Sequence, residues 1–364
     1  MSEYQANRAT PFEQFEMIDA IRRWQGDVLA SLGFGPVESS YRFIASGPYW
    51  RLRDYGSPCQ SRSVLIVAAP IKRAYIWDLI PPVSAIRRCL ESGLRVYLLE
   101  WLPASEATCG IGIAECARAI SVAMQTIGSD DSAQKPVLMG HSLGGTLAAI
   151  YAASAPEAAG GLILLSAPVC FKEGESLFRD ALVSLVPTPV SHSTPYPGSV
   201  LSQASAAASP VTFVWSRYLD AISCATDSIA MDVHGRIERW ALDEVALPGE
   251  LVSEIVEWLY REDRFYNGML GLGERTIGLH DIETPTLAVV NTADLVAPLN
   301  SVRPLGEILG PGKFRIIRYG GERGVCLQHL GVLVGREAHA HVWPQIIDWI
   351  KGLESETRVR SQAS

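Results

Sequence analysis

A serine flanked by small residues is the clearest chemical signal in this sequence. Ser142 lies in the motif GHSLGG (140–145), between an apolar run, KPVLMGHS (135–142), and a segment of small residues with a helical pattern. In this context a G-x-S-x-G motif is typical of a nucleophile on a tight strand-to-helix turn, where only small neighbours fit. The backbone N–H of Leu143 then starts the helix and is a predicted oxyanion donor.

A serine hydroxyl becomes a useful nucleophile only when a base removes its proton and an acid orients that base. In sites of this type the chain order is Ser, then Asp or Glu, then His. Asp294 ends the predicted strand PTLAVVNTAD (285–294), and His329 follows the last predicted strand. We therefore predict a catalytic triad of Ser142, Asp294 and His329. Asp281 is a rival acid, but it precedes its strand instead of ending it.

The other histidines are expected to have other roles. His141 is inside the turn beside the nucleophile, so we expect it to be structural. His339 and His341 have H-x-H spacing, but no cluster of carboxylates or cysteines accompanies them in the sequence. We therefore expect no metal and no redox cofactor. Histidines that precede Asp294 in the chain are poorer candidates for the base: His192, His234 and His280.

A second oxyanion donor usually comes from the loop after the first buried strand. That loop reads Ala69-Pro70-Ile71-Lys72, and proline has no N–H to donate. Ile71 is therefore the predicted donor, with Lys72 as the next choice. The Lys72 side chain could instead meet a phosphate or carboxylate of the substrate, although a solvated surface lysine is the more common case.

The elements that must position these residues alternate between strands and helices. Runs of Val, Ile and Leu with little alternation predict strands that are buried on both faces, and helical patterns separate them. This order predicts an α/β-hydrolase fold, with a mostly parallel, doubly wound sheet and a helical cap inserted into it. The predicted strands are residues 63–70, 95–101, 135–142, 160–168, 285–294 and 314–321.

The chain divides into four parts by its patterns. An N-terminal helix is expected to lie on the body of the domain and to lead into edge structure, and a polar tail is expected to fray. Within the cap, the Pro- and Ser-rich stretch 187–210 is predicted to be either a mobile loop over the site or a passive connection. The bounds are 1–60 for the N-terminal segment, 61–169 and 284–353 for the core, 170–283 for the cap and 354–364 for the tail.

Composition excludes some classes of partner. The net charge of −8 disfavours a nucleic-acid partner. The seven cysteines show no CxxC spacing, which favours free thiols in a reducing compartment. The N-terminus has no apolar signal region, and the most apolar stretch, 136–169, is broken by polar residues and proline. We therefore expect a cytoplasmic protein without a membrane span.

Several ordered segments resemble the polyhydroxyalkanoate synthases, particularly their short catalytic subunits that pair with a second protein. The resemblance extends from about residue 63 to residue 352, and it implies that Asp294 and His329 match the aspartate and histidine of that family. The segments are LIVAAPIKRAYIWDL (65–79), GHSLGGTLAAIYAA (140–153), WALDEVALPGELVSEIVEWLYREDRF (240–265), PTLAVVNTADLVAP (285–298) and HLGVLVGREA (329–338).

One departure from this family concerns the nucleophile, which is cysteine there and Ser142 here. A thiolate suits the repeated thioester exchange of chain elongation, whereas a serine forms an oxygen ester that water or an alcohol attacks. A second departure is that Leu327 and Gln328 precede His329, where the family has Gly-His. We therefore expect hydrolysis, or a single transfer, of an acyl or hydroxyacyl group from an ester or thioester.

The acyl group could be carried on coenzyme A or on a carrier protein. Three alternatives stay open: a general carboxylesterase or lipase, a polymerising acyltransferase that uses serine, and a non-catalytic paralogue that acts as a subunit of a synthase. Substrate-binding residues stay unassigned at this point, and so does the oligomeric state, for which a homodimer is one option.

Overall fold

A mostly parallel sheet of eight strands forms the centre of the computed structural model, which describes residues 12–56, 62–128 and 134–362, with side chains to residue 353. The strand order is β1-β2-β4-β3-β5-β6-β9-β10, and only β1 and β2 run antiparallel to their neighbours. The strands are β1 (Arg42–Ser46), β2 (Trp50–Asp54), β3 (Ser63–Val67), β4 (Arg95–Trp101), β5 (Val137–His141), β6 (Gly161–Leu165), β9 (Thr286–Asn291) and β10 (Phe314–Tyr319).

The central strands are buried on both faces, as their unbroken apolar runs predict. Every residue of β3, β5, β6 and β9 is buried. Because these strands are parallel neighbours, their carboxyl ends meet at one edge of the sheet, where ligands bind in open α/β sheets. The predicted α/β-hydrolase architecture is therefore confirmed.

Helices cover the sheet and build the cap. The helices are α1 (Glu13–Leu29), α2 (Ala85–Glu91), α3 (Ile113–Gly128), α4 (Leu143–Ser154), α5 (Leu177–Leu185), α6 (Gly198–Ala208), α7 (Ser216–Cys224), α8 (Ser228–Leu242), α9 (Gly249–Glu254), α10 (Arg303–Leu309), α11 (Gly331–Val334) and α12 (Trp343–Gln362). Helix α4 follows β5 directly and is buried from Leu143 to Ala153. Its glycines and alanines allow this central helix to pack closely against the sheet.

The insertion after β6 contains helices α5 to α9, together with π-helical segments at Val211–Trp215 and Ile255–Arg261. The Pro- and Ser-rich stretch 187–210 is not a continuous loop, because its residues 198–208 form helix α6. Serine and alanine fill this helix, and alanine has the highest helix propensity. A short hairpin of β7 (Leu270–Leu272) and β8 (Arg275–Ile277) also lies in the insertion, where the sequence predicted helices alone.

Both ends of the described chain differ from the sequence prediction. Helix α1 packs on the cap helices α8 and α6 instead of on the sheet domain. Helix α12 continues to Gln362, so the expected frayed tail from residue 354 is helical up to that point. Residues 363–364 and the predicted edge residues 57–60 lie outside the described ranges. No helix within those ranges combines the length and apolar character needed to cross a bilayer.

Candidate active site

Ser142 lies at the sharp turn between β5 and α4. Its backbone adopts φ 53° and ψ −134°, in the left-handed region that residues other than glycine rarely occupy. The turn is held because the Ser142 N–H donates to the carbonyl of Leu165, on β6, at 3.1 Å. The Ser142 carbonyl in turn accepts the N–H groups of Gly145 and Thr146 at 2.9 and 3.1 Å. The strained serine is thus presented at the carboxyl edge of the sheet and at the N-terminus of α4.

Two glycines are required by the close packing of this turn. A Cβ on Gly140 would stand 2.5 Å from the backbone of Gly145, and a Cβ on Gly144 would stand 2.3 Å from the carbonyl oxygen of Val67, at the end of β3. Both separations are far below van der Waals contact. Glycine is therefore the residue that allows strand, turn and helix to approach each other in this geometry.

Asp294 and His329 meet on the neighbouring loops. The Nδ1 atom of His329 lies 2.7 Å from Oδ2 of Asp294, and both side chains are buried. The other carboxylate oxygen of Asp294 accepts the backbone N–H groups of Val296 and Ala297 at 2.8 and 3.3 Å. Burial favours the neutral acid, but His329 and these N–H donors outweigh it and hold the pKa of Asp294 below its usual value. An ionised Asp294 keeps the proton of His329 on Nδ1.

The other ring nitrogen of His329 is available for chemistry. Nε2 of His329 is buried and has no hydrogen-bond partner among the described residues. His329 and Ser142 line one cavity of about 780 Å³, which lies beneath the cap. With Nδ1 engaged by Asp294, a neutral His329 has Nε2 free to accept a proton. Asp294 and His329 are thus hydrogen-bonded to each other, and His329 shares a cavity wall with Ser142.

His141 contacts His329 and forms a hydrogen bond with its backbone. Its Nε2 donates to the backbone carbonyl of His329 at 2.8 Å, and the two rings lie 4.6 Å apart. Burial, followed by the charge of His329, lowers the pKa of His141 to about 3. His141 therefore stays neutral at physiological pH and acts as a structural support, which is the role that the sequence favoured.

Two segments beside the cavity contain candidate donors for an oxyanion. The Leu143 N–H occupies the first position of α4, where backbone donors have no acceptor within the helix. Ile71, the second donor that the sequence predicts, lines the cavity. The sequence reasoning did not consider Ala69, which lines the cavity as well. A Cβ added to Gly144 would lie 2.7 Å from the carbonyl carbon of Ala68. That carbon is bonded to the Ala69 nitrogen.

Lys72 differs most from its expected environment. Its side chain is only 13% exposed, and Nζ donates to a carboxylate oxygen of Glu244 at 2.6 Å and to the carbonyl of Ala241 at 2.7 Å. Burial lowers the pKa of Lys72, and the contact with Glu244 opposes that effect. The expectation of a solvated surface lysine is therefore wrong. Lys72 joins the loop after β3 to the cap.

A polar cluster that the sequence reasoning missed connects the cap to the loop before His329. Asp220, on α7, accepts the backbone N–H groups of Gly324 and Cys326 at 2.8 Å each. Its Oδ2 also accepts from Nδ1 of His234 at 2.9 Å, and the Cys326 sulfur lies 3.2 Å from that nitrogen. Asp220, His234 and Cys326 could in principle ligate a metal ion. Their atoms are instead engaged in these hydrogen bonds, which hold the loop in place.

The rival acid and the two histidines with H-x-H spacing do not line the cavity. Asp281, the rival acid, accepts the N–H of Gly278 at 2.8 Å and does not line the cavity. His339 donates to the carbonyl of Leu333 at 2.7 Å, and His341 is exposed beside Glu337. The cysteines within the described ranges are free: Cys89, Cys109, Cys116, Cys170, Cys224 and Cys326. Cys59 lies outside those ranges.

Comparison with known proteins agrees with this fold. The family model described as "alpha/beta hydrolase fold" matches residues 112–329, which is more than half of the chain. The chain therefore belongs to the α/β-hydrolase family. Within that family, its curated relatives carry the name poly(3-hydroxyalkanoate) polymerase subunit PhaC, so the resemblance to polyhydroxyalkanoate synthases is confirmed.

Two of these relatives illustrate the extent of the similarity. The chain is 25% identical to PhaC of Allochromatium vinosum over 322 residues, which cover 87% of this chain and 89% of that protein. It is 26% identical to PhaC of Haloferax mediterranei over 306 residues, covering 82% of this chain. It spans about three fifths of the length of that protein and of PhaC of Haloarcula marismortui.

Solved structures share the fold at lower sequence identity. VinJ has a TM-score of 0.52 and 19% identity, covering 87% of this chain and 99% of VinJ. The carboxylesterase CesB of Bacillus subtilis has a TM-score of 0.53 and 15% identity, covering 92% of this chain and 99% of CesB. At these identities the likeness concerns the fold alone.

Proposed function

We propose that this chain is an acyl-transfer enzyme that uses Ser142 as its nucleophile. It would hydrolyse, or transfer once, an acyl group from an ester or thioester. The observation that carries the proposal is the arrangement of His329, whose Nδ1 is held by Asp294 while its unpartnered Nε2 adjoins the cavity that Ser142 lines. Membership in a family of acyl-transfer enzymes supports the same conclusion.

The proposed reaction has two balanced steps. First, Oγ of Ser142 bonds to the acyl carbonyl carbon while its proton moves to Nε2 of His329. Collapse of the tetrahedral intermediate breaks the bond to the alcohol or thiol, which leaves with that proton. Water then repeats the sequence: its proton passes to Nε2, its oxygen bonds to the carbonyl carbon, and the acid is released as Ser142 recovers its proton. An alcohol or amine in place of water would complete a single transfer.

The negative charge on the carbonyl oxygen requires fixed donors near Ser142. The Leu143 N–H at the start of α4 is the first of these, and the helix dipole adds to its effect. We assign the second donor to the loop after β3, with the Ile71 N–H as the predicted group and the Ala69 N–H as its rival. A leaving group of coenzyme A, or of a carrier protein, is compatible with this mechanism.

A polymerising acyltransferase is the second candidate, because the curated relatives carry the name of polymerase subunits. The two candidates differ in the fate of the acyl-enzyme. An oxygen ester on Ser142 is attacked readily by water, whereas repeated elongation benefits from the thioester that a cysteine would form. A Ser142→Cys variant tests this distinction. If it converts a hydroxyacyl thioester into oligomer while the wild type releases free acid, the nucleophilic atom of residue 142 alone decides between polymerisation and hydrolysis.

The proposed function is tested by turnover of an ester and thioester panel. Purified wild type and Ser142→Ala would be incubated with p-nitrophenyl esters and with acyl and 3-hydroxyacyl thioesters of coenzyme A. We expect release of free acid by the wild type and loss of turnover by at least about a thousandfold in Ser142→Ala. Formation of oligomer by the wild type would favour the polymerase. Equal turnover by both proteins would exclude Ser142 as the nucleophile.

A further inference from the structure

The cavity above Ser142 has room for a long acyl chain. Its volume is about 780 Å³. A water molecule accounts for about 30 Å³ of liquid, and a methylene group is of similar size. By this measure a four-carbon acyl group fills less than about a fifth of the cavity, and a sixteen-carbon chain fills about three fifths. A short acyl group would therefore leave most of this space unoccupied.

The cap side of the cavity is lined by apolar side chains. Phe178, on α5, and Phe213, in the π-helical segment before α7, contribute rings whose centroids lie 5.2 Å apart. Val190, Val252 and Val256 belong to a buried hydrophobic cluster and also line the cavity. Each methylene group that leaves water to contact this wall makes the free energy of binding more favourable.

The cationic side chains in the wall are engaged within the protein. Each of them forms an ion pair with a carboxylate, and Arg22 and Lys72 share the same one. The apolar cap side is therefore the part of the wall that suits an acyl chain. The pairs are Arg22 and Lys72 with Glu244, Arg73 with Asp243, and Arg217 with Glu238.

We infer that this cavity binds a long acyl chain, and that Ser142 acts preferentially on acyl groups of this class. The inference rests on the proposed function and specifies its substrate.

The first test measures chain-length preference in the wild type. Values of kcat/KM would be compared for the p-nitrophenyl esters of acetate, butanoate, octanoate and dodecanoate. We expect a rise of about threefold for each methylene added between butanoate and octanoate. A preference for acetate or butanoate over octanoate would overturn the inference.

The second test fills the cavity from α6. Ala204 lines the cavity, whereas Ala207, on the same helix, is exposed and does not line it. We expect Ala204→Trp to lower kcat/KM for dodecanoate about thirtyfold and to leave butanoate within about threefold. Ala207→Trp should change neither value. Equal loss on both esters in Ala204→Trp would contradict the inference, and the wild-type series tests it without any variant.

The failure of this inference can be distinguished from the failure of the proposed function. If no ester or thioester is turned over, and a fluorophosphonate does not label Ser142, the proposed function is wrong. If turnover depends on Ser142 but does not increase with chain length, the nucleophile stands and the long-chain assignment alone is wrong.

Discussion

Replacing Asp220 with alanine should slow catalysis although Asp220 does not line the cavity. Its carboxylate accepts the N–H groups of Gly324 and Cys326, and the loop that carries them leads directly to His329. Cys326 has φ 57°, a left-handed conformation that an L-residue keeps only when its surroundings support it. Asp220 is therefore a positioning residue, which acts through the backbone that places His329.

The size of the effect follows from these contacts. Alanine would leave two backbone N–H groups without their acceptor, at a cost of about 1 to 3 kcal/mol each. That loss would allow Cys326 to leave its strained conformation. A displacement of about 1 Å in a reacting group can lower the rate about a hundredfold. We therefore expect kcat for Asp220→Ala to fall about 30- to 100-fold, with KM within about threefold of the wild-type value.

The assay would combine steady-state hydrolysis with the rate at which a fluorophosphonate labels Ser142. Asp220→Asn keeps one carbonyl oxygen as an acceptor, so its kcat should lie between those of the wild type and Asp220→Ala. Asp227→Ala is the matched control, because Asp227 caps α8 and pairs with Arg336 without contacting the loop before His329. The control should lower the unfolding midpoint and leave kcat unchanged. If Asp220→Ala keeps kcat within threefold while its unfolding midpoint falls, the positioning role is refuted.

Three further variants test the site and its supports. Asp294→Asn should lower kcat by about a thousandfold or more, because the neutral amide no longer keeps the His329 proton on Nδ1; a change below tenfold would contradict this. Gly144→Ala should yield little folded protein, since its Cβ would lie 2.3 Å from the carbonyl oxygen of Val67; wild-type thermal stability would contradict the tight turn. Burial raises the pKa of Glu254 to about 7 from its usual 4.5, so folding stability is lost as pH rises through that range. Glu254→Gln should therefore raise the unfolding midpoint at pH 8.5 and less so at pH 5; an equal change at both pH values would contradict this ionisation.

The core of the fold could be predicted from the sequence because hydrophobic pattern and strand propensity agree there. The apolar runs that became β3, β5, β6 and β9 are buried on both faces, so burial and strand propensity point to the same assignment. Chain order then sufficed to propose Ser142, Asp294 and His329, since loops at the carboxyl ends of neighbouring parallel strands must lie close together.

The structure of the cap was harder to predict from the sequence, for two physical reasons. Helix α6 was missed because the prolines around it, including Pro197 and Pro210, hid an alanine-rich segment with high helix propensity. The contacts of Lys72 with Glu244 and of Asp220 with Cys326 join residues more than a hundred positions apart. No local pattern encodes such pairs, because they exist only after the cap has packed onto the core.

The most direct test of the central claim is intact-protein mass spectrometry of the acyl-enzyme. Wild type and Ser142→Ala would be mixed with p-nitrophenyl dodecanoate, quenched in acid within the first turnover and then mapped by peptide digestion. We predict a mass increase equal to one dodecanoyl group, located on the peptide that contains Ser142 and missing from Ser142→Ala. An adduct on any other residue, or full turnover by Ser142→Ala, would contradict the account.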